Sequence, residues 1–416
     1  MLFFLWMCFS LVLASPIETT LDNGMNIIID QTNHIPQVSM QLHFSFSPQD
    51  YPEGLPHLVE HLLFEMEKDG VLYDHWVEKQ NGFSNARTRW SEIIVETTVS
   101  SEAMEALLAW EAWRMQNFCS SLKDENIENQ KMIIVQEMLN QEFRQLGSVP
   151  DRLRKAVFSD HDILGAEVMG SVADLEQIGQ DELCRFARDI FHPSQARLIL
   201  AGDVSISQVQ AVGKRLFSAE KKDAIVKNHA QKKPVQTRWF LPSSKESRLY
   251  IVWIAPAYAT REEIASDFLL EQLISDQFGI LSDYFSLVSG WSEASAQAGW
   301  RVIELETEDP NAALKTLQQI LRSPELWLEE KDLQLFQVTT KSLIAKLQLK
   351  NTERARLLGE CSLAEKGGSC FAWEEERREK LALEEAIQYL ERGFSLESAS
   401  LLWVGSENQI EGKRLP

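Results

Sequence analysis

Histidine is scarce in this 416-residue chain and runs out early: there are eight, and none follows His229. Any chemistry that needs imidazole therefore belongs to the first half. Positive charge is also short, with 41 Lys and Arg against 62 Asp and Glu, a formal net charge of -21. No basic stripe is available to neutralise phosphates, which argues against nucleic acid as a partner. Long apolar runs are missing beyond residues 2–14. That run is too short to span a bilayer as a mature helix. With Val12 and Ala14 as small residues before Ser15, residues 1–14 read as a signal peptide. The expected product is exported and has no transmembrane segment. Only five cysteines occur. Cys8 falls in the leader, and Cys361 and Cys370 are spaced to close a short disulfide loop in an oxidising compartment. They lack the spacing and the histidine company of a metal cluster.

What is present divides into two stretches. The charged segment Lys221 to Lys233, followed by Pro234, predicts a linker over residues 221–237, between domains at 15–220 and 238–416. In the first, Asn23-Gly24 signals a turn before the strand Met25 to Ile29. Val38, Met40, Leu42, Phe44 and Phe46 alternate as in a half-buried strand, which puts His43 on the polar face and at the surface. Ile93 to Val99 reads as another strand, and helices are expected at about 102–118, 125–143 and 181–190. Ala196 to Asp203 is a strand stopped by Gly202. The second stretch repeats the order, and Leu401-Leu402-Trp403-Val404-Gly405 echoes Leu198-Ile199-Leu200-Ala201-Gly202, as in an internal duplication. The predicted class is α+β, two homologous domains that each pack a largely antiparallel sheet with helices.

The chemistry centres on Gly54-Leu55-Pro56-His57-Leu58-Val59-Glu60-His61-Leu62-Leu63-Phe64. In a helix, His57 and His61 share one face and Glu60 stands on the same side. The pattern His-x-x-Glu-His is an inverted form of a zinc-protease motif: two imidazoles bind the metal and the free carboxylate serves as base. A third ligand is needed. The helix at 125–143 offers Glu125, Glu128, Glu137 and Glu142, and its periodicity does not choose among them. Glu137 lies beside the apolar residues Ile133, Ile134 and Met138, where an unpaired buried carboxylate would be costly. A zinc ion, an ion pair with Arg144, or simple exposure would each account for it.

Taken with Leu21 to Gly24, Gly82 to Thr88, Ile134 to Glu137, Phe191-His192-Pro193 and Leu200 to Val204, the chain resembles the pitrilysin or insulinase family of zinc metallopeptidases. It is most similar to the short-subunit branch that includes mitochondrial processing peptidase and its bacterial relatives. The resemblance implies one Zn(2+) per chain on His57, His61 and Glu137, the last standing 137 − 61 = 76 residues after the second histidine, with Glu60 as general base. Where such relatives carry a helper glutamate seven positions before the third ligand, this chain has Gln130, with Asn129 beside it and Glu128 the nearest carboxylate. Asn85-Ala86-Arg87-Thr88 matches the segment that leads an extended peptide substrate along an edge strand. In self-sufficient relatives the second domain supplies an Arg and a Tyr near a Gly-Leu-x-Tyr segment. Here residues 278–291 hold no Arg, Tyr284 is out of register, and Glu293 stands at the tyrosine position of Gly290-Trp291-Ser292-Glu293. The resemblance thus implies a zinc endopeptidase of the bacterial periplasm that needs a homologous second subunit, a heterodimer enclosing a chamber for unfolded peptides. The alternative it allows is a non-catalytic scaffold or peptide-binding subunit similar to the core proteins of respiratory complexes.

Overall fold

The computed structural model describes residues 15–32, 35–143, 149–158, 163–222, 237–275, 279–296 and 299–415, with the side chains of 141–143, 150 and 151 left aside. The leader expected at 1–14, most of the expected linker and Arg144 lie outside these residues.

The first half runs β1 (Ile17–Thr20), β2 (Asn26–Gln31), β3 (Gln37–Ser45), α1 (Leu55–Phe64), β4 (Glu67–Lys68), β5 (Val71–Leu72), α2 (Tyr73–Lys79), β6 (Phe83–Arg89) and β7 (Glu92–Ser100). It continues with α3 (Met104–Ser121), α4 (Asp124–Phe143), α5 (Val149–Val157), α6 (Val172–Gln177), α7 (Gln180–Ile190), β8 (Ala196–Gly202) and α8 (Ile206–Leu216). The second half runs β9 (Arg238–Pro242), β10 (Arg248–Ala255), α9 (Arg261–Ile274), β11 (Val288–Ala294), β12 (Gly299–Glu306), α10 (Pro310–Arg322) and α11 (Glu330–Leu347). It ends with α12 (Asn351–Ser362), α13 (Cys370–Glu379), α14 (Leu383–Gly393), β13 (Ser400–Gly405) and β14 (Lys413–Arg414).

Two six-stranded sheets result, ordered β1-β2-β8-β3-β7-β6 and β11-β12-β10-β13-β9-β14. Reading one order backwards superposes them. In each, three antiparallel pairs (β6·β7, β7·β3, β3·β8 against β11·β12, β12·β10, β10·β13) are followed by one parallel pair, β8·β2 or β13·β9. The duplication expected from the sequence is thus present in five strands of each sheet; the sixth differs, since β1 pairs with β2 antiparallel and β14 with β9 parallel. Apolar alternation drives it: Val38, Met40, Leu42 and Phe44 point into the first core with α1, α3 and α7, and Leu249, Ile251 and Trp253 point into the second with α9 and α14.

The opposite face of each sheet is covered by a helix from the other half. Val149, Leu153 and Val157 of α5, with Phe158 and Leu164, pack on Tyr250, Val252, Val302 and Leu402. Reciprocally, Ala355 and Leu358 of α12 pack on Ile28, Ile199 and Ala201. This exchange corrects the reading of His43. The polar face of β3 does not meet water but lies under α12, and His43 is 3% exposed, hydrogen-bonded through Nε2 to Gln41 Oε1 at 2.9 Å. A Cβ on Gly359 of α12 would stand 2.6 Å from the His43 ring, so the helix closes directly on it.

Cys361 and Cys370, both fully buried, are bonded to each other. Cys119 and Cys184, which sequence spacing did not connect, form a second pair tying α3 to α7. Replacing Cys361 and Cys370 with Ala is expected to lower unfolding stability by about 2–3 kcal/mol, the chain-entropy value for so short a loop; denaturant melts of wild type and double variant measure it.

Candidate metal centre

Helix α1 begins after Gly54, whose φ of +80° and close approach to the Met169 carbonyl leave no room for a side chain. Pro56 occupies the first turn, where its missing N–H costs no intrahelical bond. Leu55, Leu58, Val59, Leu62 and Leu63 bury toward the core, and His57, Glu60 and His61 are left on the remaining face. The last turn is held from behind. Arg114, fully buried and paired in a fork with Glu111, also donates to the Leu63 carbonyl at 3.3 Å.

Helix α4 packs against α1 and brings Glu137 to the two histidines. Glu137 Oε2 lies 3.9 Å from His57 Nε2 and 3.8 Å from His61 Nε2. One donor atom from each of the three residues falls within 4.8 Å of the others, the one such His, Cys, Asp or Glu grouping among the described residues. These separations are too long for hydrogen bonds. Two ligands on one tetrahedral zinc are about 3.4 Å apart at ordinary Zn–N and Zn–O lengths. Side-chain shifts of about half an ångström close the two Glu137 separations, and shifts of at most about 1.4 Å bring all three donors to that spacing; two imidazoles with one carboxylate are a donor set typical of catalytic zinc. The residues present therefore fit the ion.

The electrostatics agree. Burial, and then the neighbouring His61, push His57 down to about 4, so its ring is neutral and free to offer a lone pair. Burial raises Glu60 above the usual carboxylate range, and a hydrogen bond from Thr88 Oγ1 to Glu60 Oε2 at 2.6 Å partly opposes it. A carboxyl group raised in this way is suited to accept and return protons.

Proximity to the histidines, not burial, singles out Glu137 as the candidate, since its side chain is 43% exposed and the desolvation argument for it fails. Ile133, expected beside it on the apolar side, is exposed as well. The buried stripe of α4 is Ile127, Gln130 and Ile134, and the next position in that series is Glu137. This spacing of 3, 4 and 3 is the helical signal in the sequence that favours Glu137 over Glu125 and Glu128, which point to solvent. Asn129 is also exposed, away from the site, whereas Gln130 is buried and its Oε1 lies 2.9 Å from His61 Nδ1. Gln130 Nε2 in turn donates to Glu65 Oε1 at 2.7 Å, a contact that no spacing in the sequence signals.

Among the described residues, strand β6 forms the outer edge of the first sheet, paired with β7 alone. Its residues split between two faces. Ala86 and Thr88 turn toward α1 and the core, and Thr88 reaches Glu60. Asn85 is exposed, and Arg87 turns away from the histidines to pair with Glu96. What the four residues share is a backbone edge, unpaired among the described residues, beside the candidate metal centre.

The second half keeps the place of the site without its chemistry. Aligning α9 with α1 by their N-caps, Thr260 on Gly54, puts Glu263, Ser266 and Asp267 where His57, Glu60 and His61 stand. Strand register agrees, with Ser292 paired to Arg301 as Thr88 is to Ile93. Guanidinium groups fill the space: Arg377 bonds Glu263 at 2.5 Å, and Arg301, completely buried, donates to Ser266 and Tyr389. Arg301 is thereby committed to the interior. Tyr284 is 57% exposed, and Glu293 accepts from Trp300 Nε1 at 3.0 Å.

Residues 28–170 match the model of the insulinase family, peptidase family M16, and residues 177–323 match that of the peptidase M16 inactive domain. A Bacillus subtilis protein named uncharacterized zinc protease YmxG is 24% identical over 208 residues, 49% of this chain and 50% of that one, so the match spans about half the length of the relative. Among solved structures, a protease from Helicobacter pylori aligns over 94% of this chain and 100% of its own, with a TM-score of 0.79 at 14% identity. A putative M16-like peptidase from Alicyclobacillus acidocaldarius aligns over 94% and 97%, with 0.75 at 17%. The periplasmic protease PqqL from Escherichia coli aligns over 94% of this chain and 48% of its own, with 0.74 at 14%. With the two family models matched in chain order over residues 28–170 and 177–323, the chain belongs to the insulinase family, peptidase family M16.

Proposed function

We propose that the chain is the zinc-dependent catalytic subunit of an endopeptidase for unfolded peptides, with His57, His61 and Glu137 as metal ligands. The convergence of these three side chains from α1 and α4 carries the reading. A zinc ion so held supplies Lewis acidity toward a carbonyl oxygen and toward water. Glu60 accepts the proton of the attacking water on its carboxylate and returns it to the leaving amine. Thr88 Oγ1 holds that carboxylate in place. The free edge of β6 takes the peptide backbone as an added strand, so affinity comes from ladder hydrogen bonds and is tolerant of sequence.

The second half offers neither an exposed arginine nor a tyrosine at the strand that corresponds to β6, which supports a homologous partner subunit as their source. No described helix is long and apolar enough to cross a membrane. We assign the protein to the exported, periplasmic class, in keeping with its likeness to the periplasmic protease PqqL. The match of residues 177–323 to an inactive domain favours, as a second reading, a non-catalytic scaffold. Co-purification from the source cell, followed by peptide cleavage with and without chelator, separates the two. The enzyme reading expects one zinc per chain and chelator-sensitive cleavage; a complex that holds no zinc and cleaves nothing supports the scaffold.

A pH effect follows. Thr88→Val removes a hydrogen bond that favours ionised Glu60, so the Glu60 pKa rises further. Because the base must be ionised, the acid limb of the kcat/KM profile should move to higher pH. An unmoved limb would detach Thr88 from the base.

A further inference from the structure

Two partly buried polar links run outward from His61, and they fix more than position. Gln130 is 8% exposed, and its side-chain amide sits between His61 Nδ1 and the Glu65 carboxylate. A carboxylate only accepts hydrogen bonds, so Glu65 compels the amide to turn its NH2 outward and its oxygen toward the ring. An amide oxygen also only accepts, so His61 must carry its proton on Nδ1. The lone pair is then on Nε2, the atom 3.8 Å from Glu137. Glu65 is itself fixed at the end of α1, where its N–H bonds the Leu62 carbonyl at 3.2 Å. His57 Nδ1, by contrast, is buried with no hydrogen-bond partner among the described residues. Orientation of the imidazole pair thus rests on the His61 side.

We propose that Glu65 is a positioning residue that sets the metal-binding tautomer of His61 through the amide of Gln130. The inference rests on the reading of His57, His61 and Glu137 as a zinc site. Its distinctive consequence is that reversing the polarity at residue 65 should turn the amide around. In Glu65→Lys the ammonium group donates to the amide oxygen, the NH2 faces the ring, and His61 is driven to protonate Nε2, which cannot then bind metal. Adding Gln130→Glu to Glu65→Lys restores an acceptor toward both neighbours.

The test is zinc affinity, read by competition with a chromogenic chelator on the full-length chain, with thermal melting as the check of folding. Glu65→Lys is expected to weaken zinc about ten- to a hundredfold, the range for removing an outer partner of a metal-bound histidine. The double variant Glu65→Lys, Gln130→Glu is expected to return to within about threefold of wild type, since the carboxylate again receives the Nδ1 proton. Should Glu65→Lys fail to fold, Glu65→Leu, which merely frees the amide to rotate, should still weaken zinc by about tenfold, the low end of that range. A folded Glu65→Lys chain with wild-type affinity, a folded double variant that is not rescued, or a folded Glu65→Leu chain that binds as wild type overturns the relay. A wild-type chain that takes up no zinc overturns the metal-site reading itself, and the relay with it.

Discussion

Glu60→Gln, assayed in the complex purified from its source, should retain one zinc per chain and lose about a hundred- to ten-thousandfold in kcat/KM, the usual contribution of a positioned general base. The substitution keeps an oxygen to accept the Thr88 hydroxyl, which lies 2.6 Å from Glu60 Oε2, and it leaves the histidines untouched. Folding and metal binding should therefore survive while proton transfer is lost. Metal analysis and a melting curve taken alongside the rates distinguish this from collapse of the site. Cleavage by the variant at the parental rate would remove Glu60 from the mechanism.

Arg354→Met should have the largest effect on stability. Arg354, on α12 of the second half, makes a fork with Asp30 on β2 of the first, with bonds of 2.5 and 2.9 Å, and the two residues are 2% and 0% exposed. Removing one member of such a pair leaves an uncompensated buried charge and costs about 3–5 kcal/mol. Pairing it with Asp30→Leu should recover much of that loss, because apolar pairs of similar volume often replace buried ion pairs at little cost. Denaturant unfolding of the two single variants and the double measures both statements. A loss under about 1 kcal/mol for Arg354→Met would mean that water reaches the pair or that α12 does not hold the halves together.

The parts legible in the sequence are those carried by short-range pattern. The spacing of His57, Glu60 and His61 follows from helical geometry alone, and the alternation from Val38 to Phe46 marks β3 correctly. What escapes depends on packing between segments far apart in the chain. His43 reads as a surface residue because its neighbours Gln41 and Ser39 are polar, yet α12 arrives from more than 300 residues away to cover all three. Cys119 and Cys184 carry no spacing signal, and only the packing of α3 on α7 brings them together. The direction of the Arg87 side chain likewise carries no signal in the motif: strand pleating puts it on the face of Glu96, and only the backbone of Asn85 to Thr88 is shared along the edge. Glu137 needs the family resemblance, although the series Ile127, Gln130, Ile134 already leads to it.

The most direct measurement is anomalous diffraction at the zinc edge from crystals of the natively purified chain. It should give a peak about 2.0–2.2 Å from His57 Nε2, His61 Nε2 and a Glu137 carboxylate oxygen. A zinc-replete crystal with no peak there, or with its zinc on other residues, would contradict the account.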